Sequence, residues 1–501
     1  RSKLLIDVVK PEVSDSLLIE QEIANKGRSV LLSNGNGESD HLKGIGRLVG
    51  LNTCTASLID NGEDPAAPAY VLTAGRCVQP RLANEVYLNG LVGDMHVIFN
   101  YFSDSKEEQV KVPAKMIAYS TLKGRDIAIV ELEETINVLK EEGIVPFPLN
   151  NDPVVFNDTL PMFMIGAPAV GFPPEHSFLR MEECMMDGQV DLVESQLFTY
   201  DAYRTDCQDN YSGSAGSPLF VDEEFAIIGV SSSTTVAGYH PCTLGGPCEI
   251  ADQTTLMREN KSYATPVTGF SSCFNQQGQF DISLGNCPLA DNRHLQLLNT
   301  LGEVVASQTT QDGETSLVRW NTTLSGDFTH YRYMNGSVGS TNCRNEDGYG
   351  EAYLLGEDAV IDEQIPEQEG IYVLCVMGGD SQVSNNQVLW QSPENSATVL
   401  VRVDNTPPDM DPIIAQLHDE EHYVIQFHLD PPELSDYEYK MGPQNEIVCQ
   451  DTTDYILTPH EPLPIPKNQT QYKLCIIAID TAGNKALPYE IIVGGNENAG
   501  R

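Results

Sequence analysis

A glycine-rich stretch in the first half of the chain carries hydroxyl groups that could act as nucleophiles. It runs from Asp206 to Phe220 and contains Ser212, Ser214 and Ser217. A serine that attacks an acyl group needs an imidazole to take its proton, a carboxylate to orient the imidazole and two amides to hold the oxyanion. The fold would have to bring a histidine and a carboxylate to this stretch from elsewhere in the chain.

The same stretch resembles the nucleophile loop of secreted serine proteases of the trypsin fold, in the bacterial glutamyl/lysyl endopeptidase branch. That loop has the pattern Gly-Xaa-Ser-Gly-Ser-Pro followed by an apolar strand. Alignment on residues 216–218 places Gly213 at the first glycine and Ala215 at the nucleophilic serine. An alternative alignment, with Ser214 as the nucleophile, needs one extra residue before the proline. The resemblance also implies that the amides of Gly213 and Ala215 form the oxyanion hole.

Two further segments resemble the remaining parts of this family's catalytic triad. Tyr70–Val78 is similar to the element Leu-Thr-Ala-Ala-His-Cys, with Arg76 where the general base belongs, and Cys54 and Cys77 fix this register. The segment around Asp126 is similar to Asp-Ile-Ala-Leu-Leu-Lys-Leu, which makes Asp126 the retained triad carboxylate. Arginine stays protonated at physiological pH and cannot act as a general base. Since the serine is also replaced, we expect no peptide hydrolysis by the family mechanism.

The arginine at the histidine position has a structural consequence of its own. In the fold that the resemblance implies, the Arg76 guanidinium lies near Asp126 and can form a bidentate pair that offsets the desolvation of the carboxylate. Alternatively, Arg76 points to solvent and leaves Asp126 to water and backbone amides. In both cases the former cleft becomes a charged contact surface.

Two residues are candidates for the substrate pocket. Asp209 falls six residues before Ala215, near the floor of the primary specificity pocket in this fold, where a carboxylate would recognise lysine or arginine. The alternative is that Asp209 caps a turn in the loop. Ser231, within Ala226–Ser232, belongs to a segment that resembles the strand lining the substrate's backbone. The resemblance as a whole covers residues 29–275.

Twelve cysteines fall into close-set pairs, and an even count in tight pairs indicates disulfides formed in an oxidising compartment. Two pairings follow the family pattern, two follow an internal repeat in the second half of the chain, and the pairs at 242/248 and 273/287 rest on proximity alone. The predicted disulfides are Cys54–Cys77, Cys184–Cys207, Cys242–Cys248, Cys273–Cys287, Cys343–Cys375 and Cys449–Cys475.

Length and charge exclude several classes of function. The chain has 501 residues, too many for one hydrophobic core, so two to four domains are expected. Its 72 acidic and 29 basic residues give a net charge of −43, which argues against nucleic acid or an anionic membrane as partners. No apolar run is long enough to predict a membrane span. No cofactor is indicated, although calcium at the acidic segment Asp404–Asp411 is a candidate.

The second half of the chain contains an internal repeat. The pattern Tyr-Xaa-Tyr, then a cysteine, then Tyr-Xaa-Leu-Cys occurs at 331–375 and again at 437–475. Alternating short strands around it favour immunoglobulin-like or fibronectin-III-like sandwiches. We therefore predict an all-β protein, a double Greek-key β-barrel of the trypsin type followed by two β-sandwich domains. The expected domains are a weakly helical amino-terminal extension or pro-segment (1–28), a protease-like domain (29–286) and two sandwiches (287–403 and 404–501).

Three functions remain open at this point. The first is a secreted pseudoprotease that binds a protein or peptide ligand or has a structural role. The second is a Lys/Arg-directed serine endopeptidase whose triad has been substituted. The third places the function in the carboxy-terminal sandwiches, whose edge strands suit adhesion or self-association. All three place the protein outside the cell or at its surface.

Overall fold

The structure, a computed structural model, is almost entirely β, with 6% helix. It describes residues 29–155, 157–235, 240–429, 434–459, 461–467 and 471–494, and the backbone of residues 5–7. The amino-terminal extension, expected to be weakly helical, lies outside the described residues except for β1 (Leu5–Asp7), which is a strand. The next strand, β2 (Val30–Leu31), pairs with the protease-like region.

The first part of the protease-like region is a closed six-stranded barrel. Its strands, with β6 at the side, are β3 (Ile45–Val49), β4 (Thr53–Leu58), β5 (Pro68–Thr73), β6 (Val86–Gly90), β7 (His96–Phe99), β8 (Val110–Thr121) and β9 (Ile127–Thr135). The order is β8-β7-β3-β4-β5-β9, and an additional β8–β9 pairing closes the ring. Valine, isoleucine and phenylalanine side chains fill its core, as expected for residues that suit pleated strands. A short helix, α1 (Ile136–Glu141), follows.

A second six-stranded barrel follows the first. Its strands, with two at the side, are β10 (Leu160–Gly166), β11 (Arg180–Glu194), β12 (Leu197–Thr205), β13 (Pro218–Phe220), β14 (Gly229–Thr234), β15 (Cys248–Ala251), β16 (Thr254–Leu256) and β17 (Ser262–Pro266). The order is β10-β13-β14-β17-β12-β11, and a β10–β11 pairing closes the ring. The double-barrel prediction is therefore confirmed.

Residues 295–403 form two sheets across a common core and a separate two-stranded sheet. We call this unit sandwich 1. Its strands are β18 (Gln296–Leu298), β19 (Val304–Val305), β20 (Gln308–Gln311), β21 (Glu314–Leu317), β22 (Thr322–Ser325), β23 (His330–Ser337), β24 (Tyr353–Leu354), β25 (Val360–Ile361), β26 (Gly370–Ser381), β27 (Val388–Trp390) and β28 (Ala397–Val403). The sheet β18-β22-β25 faces the sheet β19-β28-β26-β23-β24, and Trp320, Leu374 and Val401 belong to the core between them.

Residues 413–493 form a second pair of sheets, which we call sandwich 2. Its strands are β29 (Ile413–His418), β30 (His422–His428), β31 (Leu434–Pro443), β32 (Ile456–Leu457), β33 (Leu463–Pro466), β34 (Tyr472–Asp480) and β35 (Tyr489–Val493). One sheet has the order β1-β29-β30-β33 and the other β32-β31-β34-β35. Ile425, Tyr437 and Ile476 lie in the core between them.

All six predicted disulfides are present in the structure. The two pairings that rested on proximity alone, at 242/248 and 273/287, are among them. No helix in the described parts of the chain is long and apolar enough to cross a membrane.

Sandwich 1 packs directly on the second barrel. Val193 and Phe198 of the barrel share a buried apolar cluster with Val373 and Leu400 of the sandwich. Beside this cluster, Arg344 donates to Asp191 and Asp201 at 2.8 and 2.9 Å, and its guanidinium lies 4.2 Å above the Tyr200 ring. Apolar burial joined to charged hydrogen bonds makes the two units one packed body.

Candidate active site

The loop expected to carry the nucleophile is tied to the first barrel. Gly213 and Gly216 have φ values of +100° and +89°, a region that glycine adopts without strain. A Cβ atom at Gly216 would lie 2.1 Å from the Thr55 carbonyl oxygen, so no other residue fits there. Thr55 holds the loop by donating its hydroxyl to the Gly213 carbonyl and its amide to the Ala215 carbonyl, both at 2.9 Å.

Residues 214, 215 and 217, at and beside the position aligned with the nucleophile, offer no open hydroxyl group. Ala215 has none, and Ser214 is only 1% exposed, with its Oγ accepting from the Tyr211 amide at 3.3 Å. Ser217 is fully buried and donates to the Ser214 carbonyl. Among the described residues, the amides of Gly213 and Ala215 have no acceptor. The loop thus keeps its two free donors, and its one exposed serine, Ser212, lies outside the aligned nucleophile position.

Arg76 is buried and pairs with Asp126, the carboxylate that the sequence led us to expect in the triad. It lies in a 3-10 helix, Gly75–Cys77, that directly follows β5. Its Nε donates to Oδ2 of Asp126, and its backbone N–H donates to Oδ1 at 3.0 Å. Arg76 is 9% exposed and Asp126 is 1% exposed. Of the two orientations considered from the sequence, the structure has the paired one, but the guanidinium contacts Asp126 through Nε alone and not as the expected bidentate pair.

A second carboxylate, which sequence reasoning missed, completes the pairing of Arg76. Nη2 of Arg76 donates to Oε1 of Glu194 at 3.0 Å, and Oε2 of Glu194 accepts from the Gly245 amide at 2.9 Å. Burial alone would raise the pKa of Glu194, but the charge and hydrogen bond of Arg76 hold it below its ordinary value. Burial opposes the charge on Arg76, yet the two carboxylates raise its pKa. Arg76 therefore stays a cation between two anions.

Glu194 is positioned by sandwich 1 as well as by the barrel. It ends β11, and the turn to β12 contains Gln196. The Gln196 amide group donates to the Leu400 carbonyl at 2.7 Å and accepts from the Leu400 N–H at 2.8 Å. The hairpin that buries Arg76 is thus held from outside by β28. A glutamate after the apolar pair at 192 and 193 was its only signal in the sequence.

The pocket aspartate already has a partner from the same chain. Asp209 is 4% exposed, and its Oδ2 accepts from the backbone N–H of Ser29 at 2.9 Å. Arg180 holds Ser29 in place by donating to its hydroxyl at 2.9 Å and to its carbonyl at 3.0 Å. Oδ1 of Asp209 has no hydrogen-bond partner among the described residues. The segment that contains Ser29 therefore lies against one oxygen of the Asp209 carboxylate.

Ser231 is engaged inside the barrel rather than open to a peptide. Its N–H donates to the Ser217 carbonyl and its C=O accepts from the Gly216 amide, both at 2.8 Å. Its hydroxyl accepts from the Asn210 side chain at 2.9 Å. Because both backbone groups are used by the nucleophile loop, Ser231 has neither left for the main-chain pairing with substrate that the sequence suggested.

A cluster of possible metal ligands lies near Asp209, in Glu182, Cys184 and Cys207. The two sulfurs are bonded to each other. Both carboxylate oxygens of Glu182 accept backbone amides, from residues 208 and 209, at 2.7 and 2.8 Å. These ligand atoms are already in use, so the cluster gives no indication of a metal.

Sandwich 1 also covers the segment next to Asp126. Lys123, three residues before Asp126, is 7% exposed, and its Nζ donates to the Asn395 carbonyl of sandwich 1 at 2.5 Å. Burial lowers the pKa of Lys123 to about 8, against the raising effect of Asp291 and Glu85. The contact between Lys123 and Asn395 is therefore made by a lysine that loses its positive charge near pH 8.

This lysine predicts a specific pH dependence of stability. Its folded pKa of about 8 lies below the ordinary value of 10.5, so between these values the unfolded state binds more protons, and this contribution to the free energy of unfolding rises with pH. We expect the parent to gain stability relative to Lys123→Met between about pH 7.5 and about pH 9.5, measured by denaturant titration. A difference that does not change with pH would contradict the assignment.

Comparison with known proteins finds similarity over part of the chain. The family model described as a trypsin-like peptidase domain matches residues 54–230. Similar solved structures include a thermostable serine protease from an extremophilic microorganism, with 15% identity over 46% of this chain and 93% of that chain (TM-score 0.31). Human heparin binding protein has 13% identity over 47% and 91% (TM-score 0.30). Neuropsin, a serine protease from mouse brain, has 13% identity over 46% and 92% (TM-score 0.29). No curated protein matches.

Proposed function

We propose that this chain is a pseudoprotease that keeps the trypsin-like fold and uses it for binding or structure rather than for peptide hydrolysis. The observation that carries the proposal is Arg76, buried between Asp126 and Glu194. A guanidinium that is held charged cannot take a proton from a hydroxyl. Ala215 offers no hydroxyl, and Ser214 is buried. The site therefore lacks both partners of the proton transfer.

Two contacts on the substrate side support the same proposal. The backbone N–H of Ser29 donates to the Asp209 carboxylate. This contact leaves less room beside Asp209 for the side chain of a substrate lysine or arginine than an open pocket would. Lys123 and Gln196 are both bonded to sandwich 1, so the region beside Asp126 is covered. We infer that ligands contact the outer surfaces of the molecule rather than a reaction cleft.

The location that we propose is extracellular or at the cell surface. Six disulfides in one chain suit an oxidising compartment. The net charge of −43 favours a strongly solvated surface and opposes binding to nucleic acid. The proposed partner is therefore a protein, a peptide or a second copy of this chain, with no cofactor required; calcium at Asp404–Asp411 stays a prediction.

A peptidase assay tests the proposal. The parent chain and the double variant Arg76→His/Ala215→Ser are compared on lysyl, arginyl and glutamyl peptides, with a fluorophosphonate probe for a reactive serine. We expect the parent to be silent, because loss of serine or histidine costs on the order of a millionfold in turnover. We expect the double variant to be silent too, because Glu194 and Ser29 still occupy the site.

A second candidate is an endopeptidase that was silenced by substitution. It is favoured by the acceptor-free amides of Gly213 and Ala215 and by the buried Asp126. Cleavage by the double variant alone would support this candidate. Cleavage by the parent would overturn both candidates and point to Ser214, in which case Ser214→Ala should abolish the activity.

A further inference from the structure

One edge of sandwich 1 carries an exposed aromatic surface. The last strand in the order of its larger sheet is β24, whose residues Tyr353 and Leu354 are 42% and 75% exposed. The Tyr353 ring lies nearly parallel to two rings of β23, at 25° to Tyr331 with the centroids 5.4 Å apart and at 23° to Tyr333 with the centroids 6.0 Å apart. Tyr331 is buried in the core of the sandwich. Tyr353 is therefore the exposed member of an aromatic stack that the core anchors.

An exposed carboxylate lies beside this stack. Oε1 of Glu363 accepts from the Tyr333 hydroxyl at 2.6 Å, and Oε2 accepts from the side-chain amide of Asn335 at 2.7 Å. A carboxylate has about four lone-pair sites, so each oxygen of Glu363 can accept a further hydrogen bond. Among the described residues, no arginine or lysine lies over the Tyr353 ring or pairs with Glu363. The rings and the carboxylate thus face solvent without a cation between them.

The chain joins its own distant segments with the same combination of groups, and there an arginine completes the combination. The Arg293 guanidinium lies 4.1 Å above the Phe328 ring and pairs with Asp380 at 2.7 Å. Arg344 likewise combines a ring contact with carboxylate pairs where sandwich 1 packs on the second barrel. In both places a guanidinium stacks on an aromatic ring and donates to a carboxylate of a segment far away in the sequence. The stack at Tyr353 offers both of these partners and lacks the arginine.

We propose that Tyr333, Tyr353 and Glu363 form a docking site for an arginine side chain of a basic partner protein. A guanidinium is planar and weakly hydrated, so it can stack on an aromatic face while it donates to a carboxylate. A lysine ammonium is a strongly hydrated point charge and would gain less from the flat rings. This inference rests on the binding role proposed above and names the class of partner, a protein segment that carries arginine.

The charge of the surrounding segment favours a basic partner over a neutral one. Residues 345–370, which include β24 and Glu363, contain neither lysine nor arginine. Exposed acidic side chains of this segment are Asp347, Glu351, Glu357 and Asp358. Complementary charge raises the rate of encounter with a cationic segment more than it raises the final affinity. The acidic groups therefore attract the partner, and the rings and Glu363 select the guanidinium.

Calorimetric titration of the full chain with an acetylated, amidated tetra-arginine peptide tests the proposal, with tetra-lysine and tetra-citrulline as matched peptides. We expect tetra-arginine to bind more tightly than tetra-lysine, and tetra-citrulline not to bind. Tyr353→Ala should weaken tetra-arginine binding about fivefold, whereas Tyr353→Phe keeps the ring and should stay within about twofold of the parent. Glu363→Gln should weaken binding about tenfold. Glu420→Gln makes the same change of charge in sandwich 2 and should leave binding unchanged.

Three results would overturn the proposal. The first is a parent that does not bind tetra-arginine, and the second is binding that tetra-lysine or tetra-citrulline matches. The third is binding that Tyr353→Ala leaves unchanged, or that Glu420→Gln weakens as much as Glu363→Gln does, since either shows only the attraction of a polycation to an acidic protein. Circular dichroism of each variant checks that sandwich 1 stays folded. None of these results depends on peptidase activity, so a failure here and a failure of the proposed pseudoprotease function are distinguishable.

Discussion

Replacing Arg76 with methionine is expected to lower the free energy of unfolding by about 3–5 kcal/mol at neutral pH. The variant leaves Asp126 and Glu194 buried without the cation that both contact. Breaking a buried ion pair at one partner costs more than the pair contributes, because the remaining charge loses its compensation. Denaturant unfolding followed by circular dichroism measures the change.

The triple variant Arg76→Met/Asp126→Asn/Glu194→Gln is the control, and it should recover most of the lost stability because no buried charge remains. The sign of the pH dependence also distinguishes the variants. In the parent, Glu194 has a lowered pKa, so its stabilising contribution is present above its unfolded pKa and is lost as pH falls through the folded value. In Arg76→Met, burial without the neighbouring cation raises the pKa of Glu194, so the deficit should shrink as pH falls. A loss of stability that is equal at all pH values would contradict the assignment of Arg76 as a buried cation between the Asp126 and Glu194 carboxylates.

Replacing Val373 with lysine is expected to cost on the order of 3 kcal/mol, because it puts a charge into the apolar cluster between sandwich 1 and the second barrel. Val373 is fully buried there. The result should be separation of sandwich 1 from the barrel, with loss of the hydrogen bonds between Gln196 and Leu400 that help to position Glu194. Calorimetry measures the stability, and the fluorescence of Trp390, which packs against the same cluster, reports the separation.

Sandwich 2 offers the matched control for this substitution. Val373 and Lys473 each stand two residues before the second cysteine of a disulfide, and Lys473 forms an ion pair with Glu490 at 3.3 Å. Lys473→Val should change stability by less than about 1 kcal/mol, because partly exposed ion pairs contribute little. Equal effects of the two substitutions would show that burial of residue 373 is not what holds sandwich 1 in place.

Local sequence was sufficient for the parts of the site that lie within short segments. The register of Arg76 follows from Cys54 and Cys77, and the glycines at 213 and 216 mark a loop whose backbone few residues can adopt. The all-β architecture follows from alternating apolar residues and regular turns. These features depend on neighbours in the chain, so a single sequence contains them.

Contacts between distant segments could not be read in the same way. Glu194 is 118 residues from Arg76, and Ser29 is 180 residues from Asp209. Neither residue stands in a motif, since a glutamate at a strand end and a serine amide are compatible with many surroundings. The packing of sandwich 1 on the barrel could not be predicted from the sequence either. Apolar residues such as Val373 alternate with polar ones along a strand in the same way whether or not the sandwich packs on another unit. Only packing decides which face is covered.

The six disulfides determine how this protein would lengthen under tension. Each closes a loop within one barrel or one sandwich, or within the segment that follows the barrels, and the sequence separations run from 6 to 32 residues. None crosses the segment 404–412, which on its own can extend by about 30 Å. Near the beginning of the chain, β1 is paired with β29 of sandwich 2. A force applied to the two ends of the chain would therefore load sandwich 2 first, through this pairing. The barrels and sandwich 1, which lie between β1 and sandwich 2 in the sequence, would carry no tension until β1 had separated from β29.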